Sequence, residues 1–341
     1  MTGTVDGGTK DPFRAVRRRF IGWPQAMRVH ECGNGGEAMG NVNGQFVLST
    51  LVIALGYLLK RTGLVSEKDG AVLTRVLLNV TLPALVVSTF SAMHFEPSLM
   101  ALPAICLAYG IVMGALGLFV FRRQERADRG LLAMLVPGFN IALFAYPLVE
   151  AILGKEALIY LGMFDVGVAF VGFVIAYLIG YYFSPGTTSL DYGGMARMLL
   201  RSVPFMAYIV SLLISVSGLH YPGVVVDLAK SLARANMPLA LLLLGIYLNF
   251  RLSGGSMANV AKVLGLRYGL GLAVGISLYF SLPFNQLFRD IVLVSLILPP
   301  PLMMIAFAVE FSYDYRLVGI ILNIANVTSY LLLWIIFNCI A

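Results

Sequence analysis

Residues 139–147 read FNIALFAYP and residues 298–304 read LPPPLMM. Each lies inside an otherwise apolar run, the first over residues 131–153 and the second over about 291–311. Asn140 and Pro147 interrupt the first run; Pro299, Pro300 and Pro301 interrupt the second. Proline has no backbone donor and clashes with the carbonyl one turn back, so neither run can be a single straight helix. A helix broken in hydrocarbon leaves backbone N–H and C=O groups that cost several kcal/mol unless protein or a water-filled cavity satisfies them. Two such interruptions at matching places in the two halves of a chain are the pattern of inverted repeats that hold a solute between broken helices.

The composition agrees with a polytopic membrane protein. Of 341 residues, 59% are hydrophobic and 12% charged, and the mean hydropathy is +0.86. A soluble domain carries roughly 25% charged residues, so this chain has too few to clothe a wetted surface. The net charge of +7 implies no nucleic acid, because the cationic residues sit mainly in short loops between apolar runs, where they orient helices in a bilayer. The three cysteines (Cys32, Cys106, Cys339) and three histidines (His30, His94, His220) show no metal or disulfide spacing. No cofactor or metal is expected.

About ten apolar runs approach the ~20 residues needed to cross a bilayer. They begin near Phe46, Ala71, Leu99, Leu131, Ala157, Met198, Val224, Val260, Ile291 and Leu317. The stretch SPGTTSLDYGG, residues 184–194, divides them. The expected organisation is an extension over residues 1–44, a first five-helix repeat over 45–183, a cytoplasmic linker over 184–196 and a second five-helix repeat over 197–341. Lys60, Arg61, Lys68, Arg122, Arg123, Arg126, Arg129, Arg197, Arg201, Arg251, Lys262 and Arg316 fall in alternate loops, while the others hold little beyond Lys155 and Arg289. The positive-inside rule then puts both termini on the non-cytoplasmic side of the cell membrane. Arg14, Arg17, Arg18, Arg19 and Arg28 oppose that orientation. Their Gly-rich surroundings read as disordered, and Met39 offers a cleaner start than Met1; the alternative is a basic surface segment.

Small and kinking residues recur five spans apart. Span three carries GIVMG (Gly110, Gly114) and span eight carries GLAVG (Gly271, Gly275), a spacing that lets helix backbones approach closely. Span two has Pro83 in NVTLPAL and span seven has Pro238 in RANMPLALLLLG, both read as scaffold helix breaks.

Several stretches together resemble one family. ALGYLLKRTGLVSEKDG from residue 54, LLNVTLPALVVS from 77, FNIALFAYPLVEAILGKEAL from 139, FDVG around Asp165, MPLALLLLGIYL from 237 and PPPLMMIAFAVEF from 299 are similar to the auxin efflux carrier family, which includes bacterial malonate and malate permeases. The likeness covers nearly everything from Phe46 onward. It implies ten transmembrane helices as two inverted five-helix repeats with crossed broken helices. It also implies a scaffold of helices one, two, six and seven, commonly a homodimer, and elevator-type alternating access. Met303 and Met304 stand where many relatives have a polar residue.

A rise of about 1.5 Å per residue places Asn140, Asp165 and the span-nine prolines at similar depth. The expected site therefore joins Asn140, Pro147, Pro300 and Pro301 as substrate-binding residues. Half-helix N-termini there suit a carboxylate, and the Asn140 amide can donate to it or cap the break. A carboxylate at the bilayer centre costs at least ~2.5–3.5 kcal/mol on insertion scales and is functional by default, which makes Asp165 the proton-coupling candidate; the alternative is a structural anchor to span four or nine. Glu150 and Glu310 lie nearer span ends, and Asp227, Lys230 and Arg234 read as a wetted face or local ion pairs. No intramembrane nucleophile and base stand together, as an enzyme would need, and no pore-lining charge ring suggests a channel. The expected activity is a permease for small organic anions, coupled to protons or sodium, with a neutral or amine solute as the alternative cargo.

Overall fold

The computed structural model describes residues 35–91, 96–185, 192–249 and 257–340. The elements are helical throughout: α1 Gly35–Arg61, α2 Glu67–Phe90, α3 Pro97–Val120, α4 Arg126–Met134, α5 Ile141–Leu153 and α6 Ala157–Phe183. Then follow α7 Tyr192–Arg201, α8 Val203–Val216, α9 Gly223–Tyr247, α10 Met257–Ser281, α11 Gln286–Leu296, α12 Met303–Glu310 and α13 Tyr315–Ile340. Among the described residues, 7 helices (α1, α2, α3, α6, α9, α10 and α13) are long and apolar enough to cross a membrane. The chain is a multi-pass membrane protein, and its described elements are all helical.

Both expected interruptions occur, but the first is displaced. The chain leaves helix after Met134 and resumes at Ile141, so the break is LVPGFN around Pro137 and Gly138. Pro147 lies within helix α5, beyond a widened π turn at Ile141–Ala145. That wider turn lets the helix absorb a ring that would clash with a normal i−4 carbonyl. The second break, Ile297 to Leu302, contains Pro299, Pro300 and Pro301 as expected. The sixth apolar run starts at Val203 rather than Met198, because Ser202 caps it through Phe205 N and Pro204 occupies its first turn. Helix α7 begins inside the stretch read as linker. Helix α1 likewise extends back through residues 35–44, into the stretch expected to be an extension. The arginine cluster of residues 1–34 lies outside the described residues.

Glycines fix the packing of α1 on α9. A side-chain carbon at Gly56 would overlap the Leu242 carbonyl, and one at Gly245 would overlap the Ile53 carbonyl. The two backbones therefore touch, as small residues permit where lipid supplies no hydrophobic drive for association. Helix α2 packs on α9 and α8, so α1, α2, α8 and α9 form one connected group. Inside it, α2 carries a π turn at Leu77–Thr81 just before Pro83. Helix α9 is interrupted at Arg234 and Ala235, just before Pro238. These two irregular points meet: Thr81 Oγ1 donates to Asn236 Oδ1 at 3.0 Å, and both residues are buried.

The two glycine pairs also sit in helix contacts, with different partners. Gly110 and Gly114 of α3 face Val171, Ile175 and Ile179 of α6, whereas Gly271 and Gly275 of α10 face Leu296 and Leu293 of α11. Asp227, Lys230 and Arg234 are exposed.

Candidate functional site: the crossing of two broken helices

The two breaks lie against one another. Asn140 N donates to the Pro299 carbonyl at 2.8 Å. A side-chain carbon at Gly138 would lie 3.0 Å from Pro301 Cδ, so glycine there lets the proline run approach. Several backbone groups freed by the breaks find partners within the protein, as hydrocarbon favours. Three consecutive prolines present no donors. The carbonyl of Pro301 accepts from Met304 N at 3.1 Å, and Asn140 Oδ1 caps α5 by accepting from Leu143 N at 3.4 Å.

Four further carbonyls go to a residue that no sequence pattern singles out. Arg267, on α10, is 3% exposed. Its Nη1 donates to Leu135 O at 2.9 Å and to Val136 O. Its Nη2 donates to Gly138 O at 2.8 Å and to Leu298 O at 2.7 Å. One guanidinium therefore binds the C-terminal ends of α4 and α11 together, where helix dipoles concentrate partial negative charge. It lies 5.5 Å from the Phe139 ring centroid, and the Tyr109 ring stacks on Phe139 at 6.0 Å. The signal in the sequence was a lone arginine well inside the run from Val260, which the high cost of an intramembrane charge marks as functional.

Three buried polar atoms at this crossing have no protein partner among the described residues: Asn140 Nδ2, Arg267 Nε and Tyr109 Oη. Asn140 is 4% exposed. Unpaired buried donors are rare in native proteins and call for an explanation. Of the expected site, Asn140, Pro300 and Pro301 are brought together. Pro147 is not; by helical rise it stands about 10 Å farther along α5 than Asn140.

Asp165 takes a different direction. Phe164 turns toward the crossing and meets Phe139 at 5.9 Å, while Asp165, about 100° further round α6, receives a 2.7 Å hydrogen bond from Tyr208 of α8. Tyr208 is in turn bonded to Tyr146 of α5. Since the Tyr208 proton is committed to the carboxylate, Tyr146 is the donor to Tyr208. The half-buried Asp165 thus links α5 and α6 to α8, a member of the α1, α2, α8, α9 group, with no hydrogen bond to Asn140 among the described residues. Glu310 accepts from Tyr177 Oη at 2.6 Å near the end of α12.

A bundle of apolar helices with two crossing breaks is an arrangement found in membrane transporters. Comparison with known proteins agrees. The family described as membrane transport protein matches residues 45–189 of this chain. An uncharacterised transporter of Methanothermobacter thermautotrophicus is 26% identical over 292 residues, covering 83% of this chain and 93% of its own length. One from Methanocaldococcus jannaschii is 23% identical over 312 residues, covering 86% and 98%.

Proposed function

We propose that this protein is a secondary active permease for small organic anions, carboxylates foremost, in the cell membrane. The observation that carries the reading is the crossing itself. The N-termini of α5 and α12 begin there beside the unpartnered Asn140 amide, and helix N-termini with free donors are seats for carboxylates. Asn140, Pro300 and Pro301 form the seat; Pro147 shapes the helix behind it.

Ten crossings are reached if the seven long helices are joined by α8 and by the two interrupted pairs α4–α5 and α11–α12. Two inverted five-helix repeats, with both termini on the non-cytoplasmic side, suit that count and the loop charges. The group α1, α2, α8 and α9 would be the scaffold, paired with a second copy in a homodimer. The remaining helices would carry the crossing as one body in an elevator movement. Asp165 then sits where the moving body meets the scaffold. Protonating it would weaken its bond from Tyr208, since hydrogen bonds to a charged acceptor are roughly twice as strong as neutral ones. That placement supports coupling to protons.

Counterflow in proteoliposomes across a panel of mono- and dicarboxylates, with and without a pH gradient, tests the reading. Saturable carboxylate exchange is expected. Saturable flux confined to an amine or a neutral solute would overturn the anion assignment.

A further inference from the structure

We propose that Arg267 determines the charge preference of the crossing, making it selective for anions over isosteric neutral solutes. The inference rests on the crossing being the solute seat. Four half-helix ends converge there: the C-termini of α4 and α11 and the N-termini of α5 and α12. Each end carries roughly half an elementary charge, negative at C-termini and positive at N-termini. Two of each sign cancel, so crossed helices alone leave the seat close to neutral.

Arg267 tips that balance. Its guanidinium sits on the two negative ends, with carbonyl partners at Leu135, Val136, Gly138 and Leu298. Among the described residues the ion pair found is Lys60 with Glu67, and no carboxylate lies within ion-pairing distance of Arg267. With the C-termini neutralised, the two N-termini are left unopposed, roughly one positive charge in a low-dielectric surround. The unpartnered Asn140 Nδ2 and Arg267 Nε, both donors, are of the right sort for an anion. Asp165 is engaged by Tyr208 on another face of α6 and does not supply the counter-charge.

The role predicts a ratio, which separates it from simple bracing of the breaks. In proteoliposomes each carboxylate of the panel is paired with its primary amide, and both are measured as competitors of counterflow. The wild-type protein should prefer the carboxylate at least about tenfold. Arg267→Lys keeps the charge while losing the fork, so overall affinity falls and the preference stays. Arg267→Gln should bring the ratio close to one. Tyr109→Glu, which leaves Arg267 in place and sets a carboxylate across the same Phe139 ring, should lower it likewise. An arginine that only braced carbonyls would weaken carboxylate and amide together with an unchanged ratio, and that result overturns the proposal. If Arg267→Gln does not fold, the wild-type and Tyr109→Glu ratios still decide it: equal wild-type affinities, or an unaltered ratio in Tyr109→Glu, refute it. Absence of carboxylate flux in the wild type would instead refute the permease reading beneath it.

Discussion

Asn140 performs two tasks with two different atoms, and a pair of substitutions separates them. Its Oδ1 accepts from Leu143 N at a long 3.4 Å, while its Nδ2 is buried without a protein partner. Asn140→Ala removes both. Asn140→Asp keeps an acceptor for the cap and removes the amide donor. An N-cap is worth about 0.5–2 kcal/mol, and the long distance here argues for the lower end. A carboxylate at a helix N-terminus returns ~0.3–1 kcal/mol, so Asn140→Asp should melt close to the wild type in detergent and Asn140→Ala a few degrees lower. Substrate affinity should behave otherwise. A hydrogen bond to a charged group contributes ~1.5–3 kcal/mol, so either variant should lose roughly ten- to a hundredfold in carboxylate affinity. Asn140→Asp should lose more, since its own negative charge opposes the anion. The assay is concentration-dependent counterflow at a pH above the carboxyl range, beside thermal unfolding of the same preparations. Wild-type affinity in Asn140→Asp would show that the amide donor meets no solute. Losses in the two variants that simply track their melting temperatures would reduce Asn140 to a cap.

Asp165→Asn keeps an acceptor for Tyr208 and should retain exchange, whereas pH-driven accumulation should vanish; unchanged pH dependence would make Asp165 an anchor only. Tyr208→Phe deprives both Asp165 and Tyr146 of their partner, and at ~1–3 kcal/mol for each buried polar group left unpaired it should lower the melting temperature measurably; wild-type stability would contradict the linkage. Gly245→Val drives a side chain into the Ile53 carbonyl and should destabilise α1–α9 packing by at least ~1–3 kcal/mol, seen as loss of monodisperse protein on size exclusion. A well-behaved Gly245→Val would mean that those backbones do not touch.

Most of the architecture was legible because hydropathy reports directly on the strongest constraint in the molecule. A backbone without water must satisfy itself within helices, so apolar runs near twenty residues are legible, and apart from the start of α1 their boundaries fall within a few positions of the helices. Proline was a poorer guide to the breaks. It marks where a donor is missing, not where the chain leaves the helix. At Pro299–Pro301 the two coincide, because three missing donors in succession cannot be bridged. At Pro147 a single missing donor is absorbed by the π turn Ile141–Ala145, and the break comes earlier, after Met134, around Pro137 and Gly138. The spans of Pro83 and Pro238 repeat this: the irregularity precedes the ring, at Leu77–Thr81 and at Arg234–Ala235.

Depth along a span was legible, but azimuth was not, and the site depends on azimuth. Counting residues put Asn140, Asp165 and the prolines on one level without fixing which way each side chain turns. Phe164 faces the crossing and Asp165 faces Tyr208, one step apart in sequence. No periodicity could decide between them, because α6 is apolar all round and presents no polar stripe to set its rotation. Arg267 escaped for the complementary reason. Its partners are backbone carbonyls, which are present at every position and leave no trace in the residue pattern. Only its cost was visible, a full charge in hydrocarbon, and such a charge needs a source of negative potential nearby. In a chain this poor in carboxylates, the exposed carbonyls of a broken helix are the one source available in quantity. An arginine deep in one apolar run and breaks in two others are therefore coupled features, and each explains how the other is tolerated.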